Sequence, residues 1–102
     1  MVKKNSIHFI GIGGIGVSSL ARFYFAKGSR VTGSDLQQSA LTDDLAKEGI
    51  HISIGKQTAE NISPETTLVI YTAAVPATNP ELAEAWAKGI ATKTYAQAIG
   101  DL

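Results

Sequence analysis

Apolar residues along this chain fall into short runs, and their spacing alternates between that of a buried strand and that of a one-sided helix. Ser6–Ile10 (SIHFI) is short, apolar and β-compatible, which predicts a first buried strand. Val17, Leu20, Ala21 and Tyr24 then recur at i, i+3, i+4 and i+7, one face of a helix, and Gly28 offers the left-handed residue that commonly ends one. Arg30–Gly33 is a brief second strand. A second helix follows over Ser39–Glu48, with Ser39 as its cap, Leu41 and Leu45 four apart, and Gly49 as its stop. His51–Ile54 alternates as a third strand, and Lys56–Asn61 reads as a loop with one helical turn that Pro64 keeps short. Thr67–Tyr71 (TLVIY) is the clearest strand in the chain. Asn79-Pro80-Glu81 combines a cap, a first-turn proline and an acid near the positive helix end, and opens a helix running to about Lys88. Ala91–Thr94 is a fifth strand, and Tyr95–Leu102 begins another helix.

Strands alternating with helices at this spacing imply right-handed crossovers and a parallel sheet covered on both faces. The expected fold is α/β and Rossmann-like, about five parallel strands with helices on both faces, in one domain over residues 1–102. Composition changes this picture little. Apolar residues make up 44% and charged residues 18%, and nine basic side chains balance nine acidic ones. That balance points to no nucleic-acid partner and no membrane surface. Cysteine is absent, which excludes a disulfide scaffold, a zinc-thiolate site and a thiol nucleophile, and it fits the cytoplasm. Lys3 and Lys4 precede an apolar stretch as in a secretory signal, but His8, four glycines and two serines interrupt that stretch.

The glycines carry the chemistry. Gly11, Ile12, Gly13, Gly14, Ile15 and Gly16 satisfy G-x-G-x-x-G, between a predicted strand and a predicted helix, and Asp35 follows about 20 residues later at the end of the second strand. In such a turn the first glycine permits a tight bend and the second lets backbone approach a diphosphate. The third lets the helix pack close to the strand. Unpaired N–H groups at the helix start bind the anion without a basic side chain. No G-K-[ST] follows, so this is not a Walker-type loop. Asp35 would accept from a ribose hydroxyl, a feature that NAD and other ribonucleotides share. An NAD-binding domain of an oxidoreductase and a nucleotide-sensing module both remain open on these residues.

Other residues have structural readings. His8 and His51 lack a second ligand at metal spacing and are expected to be structural, with His8 near enough to the glycine turn to bond its backbone. Asp43 and Asp44 diverge by about 100° on a helix and belong to a solvated face. Trp86 is expected to pack against the sheet, and the Ser18 and Ser19 hydroxyls are candidates to donate to a phosphate but not nucleophiles.

Longer segments carry a resemblance. IHFIGIGGIGVSSLA, VTGSDLQQSALTDDLAKEGIHISIG and TAAVPATNPELAEAWAKGI resemble the N-terminal domain of the bacterial Mur ligases, in the branch that joins L-alanine to UDP-N-acetylmuramate. The family's G-I-G-G-x-G-[MV]-S loop is similar to Gly11–Ser18, its G-S-D to Gly33-Ser34-Asp35, and its N-P-E-L helix start to Asn79–Leu82. Its strand-end S-[ST]-A-[IV] stands here in altered form as Tyr71-Thr72-Ala73-Ala74-Val75, and Gly55-Lys56 stands where the family often has Gly-His. The resemblance implies that this domain holds the UDP part of UDP-N-acetylmuramic acid. The backbone from Ile12 to Gly16 would cradle the diphosphate, Asp35 would sit by the uridine, and the turn of Thr72, Ala73 and Ala74 would line the opposite wall, with Gly11 and Ser34 also counted among the substrate-binding residues. It also implies an ATP-driven reaction in which an acyl phosphate forms on the muramyl carboxylate and the alanine amine displaces phosphate. ATP and magnesium would be held by a central domain, with the remaining ligase domains as partners in cis. The 102 residues themselves would hold no metal, no cofactor and no catalytic residue.

Overall fold

The computed structural model describes residues 5–102, so Lys3 and Lys4 lie outside the described residues. Along the chain come β1 (Ser6–Ile10), α1 (Ile15–Ala26), β2 (Arg30–Asp35), α2 (Ala40–Lys47) and β3 (His51–Ile54). A 3-10 turn (Ala59–Asn61), β4 (Leu68–Tyr71), α3 (Pro80–Ala87), β5 (Ala91–Thr94) and α4 (Tyr95–Gly100) complete it. The strands form one parallel sheet in the order β3-β2-β1-β4-β5, as the alternation of elements predicts. β1 is central and buried along its whole length, which is why its sequence shows no clean in-out alternation.

Side chains of β1 divide between two cores. Ile7 and Phe9 join Val17, Leu20 and Ala21 of α1 and Leu45 of α2 on one face. Ile10 joins Val69, Leu82 and Ala85 on the other, under α3. Helix ends follow local chemistry. The Ser39 side chain accepts from the Thr42 N–H to start α2, and Asn79 Oδ1 accepts from the N–H groups of Glu81 and Leu82 to start α3.

Two expectations change. β2 runs on to Asp35 rather than stopping at Gly33, because Ser34 and Asp35 still pair with Ser53 and Ile54 of β3. Trp86 is 48% exposed instead of packed on the sheet, and its Nε1–H donates to Thr92 Oγ1 at 3.2 Å. The inward face of α3 is Glu81, Leu82 and Ala85, and Trp86 lies about 100° further round the helix from Ala85.

The strand order fixes where a ligand can enter. From β1 the chain winds outward through β2 and β3, then returns to the other side of β1 with β4. The connections leaving the C-terminal ends of β1 and β4 therefore diverge, and that divergence opens a crevice.

Candidate functional site

The turn from β1 to α1 is held by backbone and by its neighbours. Gly11 has φ 79°, the left-handed region where glycine carries no penalty. Its N–H and that of Ile12 both donate to the Ser34 carbonyl, at 2.9 and 3.0 Å, pinning the loop to the end of β2. Ile12 turns inward, is fully buried, and lies over Gly33. A Cβ on Gly33 would stand 2.8 Å from Ile12 Cβ and 2.9 Å from its Cγ2, so β2 needs a glycine there. The Gly13 N–H donates to Asp35 Oδ2 at 2.9 Å, and the Gln37 N–H donates to Oδ1 at 3.1 Å. A Cβ on Gly13 would lie 2.8 Å from that Asp35 oxygen.

Gly14 caps α1 with no side-chain bond, and its own N–H reaches the Gly11 carbonyl at 3.3 Å. A Cβ on Gly16 would stand 2.6 Å from the Tyr95 hydroxyl, so the third glycine makes room for α4 rather than for a strand. With Gly11 to Gly14 committed within the fold, the first-turn amides of Ile15, Gly16 and Val17 are left without a partner among the described residues. They point out of the positive end of a 12-residue helix. The Ser18 and Ser19 hydroxyls both donate to the Ile15 carbonyl, at 2.9 and 3.1 Å, and are engaged along the helix.

Beside this loop, at the crevice, lies a cleft of ≈ 290 Å³. Ile10 comes from the end of β1 and Gly11 from the turn after it, Asp35 from the end of β2 and Leu36 from just beyond, and Gln57 from the loop after β3. Ala74, Val75, Pro76 and Asn79 close the side beyond β4. Of the residues expected at a site, Gly11, Asp35 and Ala74 line the cleft. Gly13, Gly14, Ile15 and Gly16 form the loop and helix start next to it, while Ile12 and Ser34 are buried beneath. Thr72 and Ala73 lie in the turn before Ala74, which the Val75 N–H closes on the Thr72 carbonyl at 3.0 Å. Leu36, Gln57, Val75 and Pro76 were not among the expected site residues, and Asn79 was read as a cap and as the first residue of the family's helix start. Leu36 is 67% exposed at the mouth, an apolar side chain left to solvent by the fold itself.

A buried polar cluster sits under the cleft. Glu81 is fully buried, and its Oε1 accepts from His8 Nε2 and from the Ser34 hydroxyl, both at 2.7 Å. Its Oε2 accepts from Asn61 Nδ2 at 2.9 Å. Burial pushes this carboxyl upward, but the bonds from His8, Asn61 and Ser34 outweigh it and hold the group below the ordinary carboxylate range. His8 pairs on its other side, Nδ1, with Thr32 Oγ1 at 2.7 Å. The expected bond from His8 to the glycine turn is therefore replaced by one to a carboxylate 73 residues away. Gln57 Nε2 donates to Ser34 Oγ at 3.1 Å, and Asn79 Nδ2 donates to Gln57 Oε1, which ties the cluster to the cleft wall. Among the described residues no group of three or more His, Cys, Asp or Glu could hold a metal ion, and no helix is long and apolar enough to cross a membrane.

Comparison with known proteins gives the ancestry. A family model described as "Mur ligase family, catalytic domain" matches residues 6–102. The UDP-N-acetylmuramate--L-alanine ligase of Agathobacter rectalis is 47% identical over 100 residues, 98% of this chain and 22% of that protein. The protein of the same name from Clostridium beijerinckii is also 47% identical, over 98% of this chain and 21% of its own length. In structure, the UDP-N-acetylmuramate-alanine ligase of Thermotoga maritima superposes with a TM-score of 0.88 at 36% identity, covering 94% of this chain and 22% of that one. The chain thus spans about a fifth of the length of the relatives it matches. From the family model across nearly the whole sequence and from these relatives, the chain belongs to the Mur ligase family.

Proposed function

We propose that this chain binds the UDP moiety of UDP-N-acetylmuramic acid, as the N-terminal domain of an ATP-dependent UDP-N-acetylmuramate–L-alanine ligase in the cytoplasm. The observation that carries the reading is 47% identity, across 98% of the chain, to a protein named for that substrate and that amino acid. The geometry supports it. A diphosphate needs unpaired donors and positive potential, and the free N–H groups of Ile15, Gly16 and Val17 at the start of α1 offer both. In this reading the uridine enters the neighbouring cleft, between Leu36 on one side and Val75 and Pro76 on the other. Each Asp35 oxygen keeps a lone pair beyond its bond to Gly13 or Gln37, and accepts from a ribose hydroxyl. Ala74, at the end of the turn that begins with Thr72 and Ala73, stands on the facing wall with Val75 and Pro76.

The chain's share of the reaction is orientation. Binding energy taken from the nucleotide, remote from the reacting carboxylate, holds that carboxylate where the ATP- and magnesium-binding domain can use it. The test is calorimetric titration of the chain with UDP-N-acetylmuramic acid, UDP, NADH and AMP. Saturable binding of both uridine ligands, tighter than of NADH and AMP, is the expected result. Binding of NADH without binding of either uridine ligand would overturn the reading.

A further inference from the structure

Glu81, Ser34, Gln57 and Asn79 close a ring of hydrogen bonds against the cleft, and every bond in it has a dictated direction. Asn79 Oδ1 accepts from the backbone N–H groups of Glu81 and Leu82, at 2.9 and 3.3 Å, so its amide nitrogen must face the other way, towards Gln57. Gln57 Oε1 accepts from that nitrogen, and Gln57 Nε2 donates to Ser34 Oγ at 3.1 Å. The single hydroxyl proton of Ser34 goes to Glu81 Oε1 at 2.7 Å, and an ionised carboxylate can only accept. A glutamine amide can usually turn over at little cost. Here it is fixed from both ends, by backbone donors through Asn79 and by a carboxylate through Ser34. Gln57 and Asn79 both line the cleft. Within the ring, one N–H of Gln57 on its Ser34 side and one lone pair on its Asn79 side remain uncommitted.

We infer that Gln57, oriented by this ring, is a specificity-determining residue for the nucleobase, offering a donor and an acceptor in a fixed order to the base edge. The inference rests on the uridine reading above. A ligand anchored by its diphosphate at the start of α1 cannot turn its base round to suit the wall. Uracil places a carbonyl acceptor and an N–H donor side by side on its pairing edge. Cytosine carries an amino donor and a ring-nitrogen acceptor at the same two positions. Turning the Gln57 amide over should therefore exchange one preference for the other.

Asn79→Asp sets a carboxylate against the Gln57 oxygen and so favours the turned amide, at the cost of the Ser34–Glu81 hydrogen bond. It keeps an oxygen for the α3 cap, where aspartate serves as well as asparagine, and replaces the donor facing Gln57 with a second acceptor. Gln57 Nε2 then turns towards position 79, and its Oε1 accepts from the Ser34 hydroxyl. Glu81 gives up that one bond and keeps those from His8 and Asn61. The experiment uses the whole 102-residue chain, wild type and N79D, with calorimetric dissociation constants for UDP and CDP. Nuclear Overhauser contacts of the Gln57 Nε2 protons are read in the same samples. Wild type should prefer UDP, and N79D should move the CDP/UDP ratio of dissociation constants towards CDP by about tenfold, the effect of one matched against one unmatched hydrogen bond. The Nε2 contacts should move from Ser34 to the Cβ protons at position 79.

Unmoved contacts would overturn the control of Gln57 by Asn79, and with it the exchange of preference proposed for N79D. Moved contacts with an unchanged ratio, while UDP still binds, would overturn the specificity role alone. Failure of wild type to bind either nucleotide would overturn the uridine reading together with this role. Should N79D not fold, Gln57→Leu asks the same question, since it removes both groups and should bring the ratio close to one. A ratio retained in Q57L would overturn the proposal.

Discussion

Replacing Gly33 by alanine adds one methyl group where β2 meets the glycine loop, and the structure says what that methyl meets. Gly33 has no left-handed backbone angle, so the effect is steric and not conformational. The new Cβ would lie 2.8 Å from Ile12 Cβ and 2.9 Å from Ile12 Cγ2, against the about 3.5–4.0 Å that carbon atoms prefer. Ile12 cannot swing clear. Its side chain is fully buried in the core with Phe9, Val17 and Leu45, and its N–H is held by the Ser34 carbonyl at 3.0 Å. Overpacking of this kind costs about 1–3 kcal/mol. In a domain of this size each kcal/mol lowers Tm by about 4–8 °C. The assay is thermal and urea unfolding at pH 7 followed by circular dichroism. Gly100→Ala is the control: it lies in α4 with nothing within 4 Å of a new Cβ, and should leave Tm unchanged or slightly higher. Ile12→Val should recover part of the loss in the double variant, because it removes the Ile12 methyl that reaches furthest into the new Cβ. A Gly33→Ala protein as stable as wild type would refute the claim that β2 is glycine for the sake of Ile12.

Other outcomes follow from the same contacts. Glu81 titrates below its ordinary value in the fold, so its contribution is present above the usual carboxylate range and lost as pH falls through the folded value. Stability should therefore hold from neutrality down to about pH 4.5, then fall, and Glu81→Gln should be less stable at pH 7 by about 1.5–3 kcal/mol and show a shallower acid limb in urea titrations. An identical acid limb in the variant would contradict the role given to this carboxyl. Gly13→Val places a side chain against Asp35 Oδ2 and Thr42 Cγ2, where a Cβ alone would already stand at 2.8 and 3.1 Å. It should leave the sheet folded by circular dichroism and reduce UDP affinity by more than about tenfold, as one charge-assisted bond or more is lost. Full affinity in that variant would show that the ligand does not use this loop.

The elements were legible because each one satisfies its own local rule. Ser39 and Asn79 cap where the sequence places caps, and the i, i+3, i+4, i+7 spacing of Val17, Leu20, Ala21 and Tyr24 puts three of the four in the buried face of α1. The loop was legible as a loop. What it does internally was not, since that depends on partners far along the chain. Gly33 reads as one more glycine in a G-S-D motif until Ile12 is seen lying on it. Asp35 reads as a ribose acceptor, while in the fold it also holds the Gly13 N–H. Glu81 reads as a first-turn acid near the positive helix end, and that reading says nothing of burial. It is buried because His8, an imidazole inside a central strand, needs a partner on that face, and α3 delivers one. A histidine in the middle of an otherwise buried strand was the one available hint. Gln57 carried no local signal at all: its place follows from where the loop after β3 crosses the end of β2.

The central claim is that bare backbone at the start of α1 meets a diphosphate. Amide chemical shifts of the 15N-labelled chain, followed while UDP-N-acetylmuramic acid is added, test it most directly. The account predicts that the N–H signals of Ile15, Gly16 and Val17 move most, with those around Asp35 and Gln57 following. Saturable binding that leaves those three amides in place would contradict it.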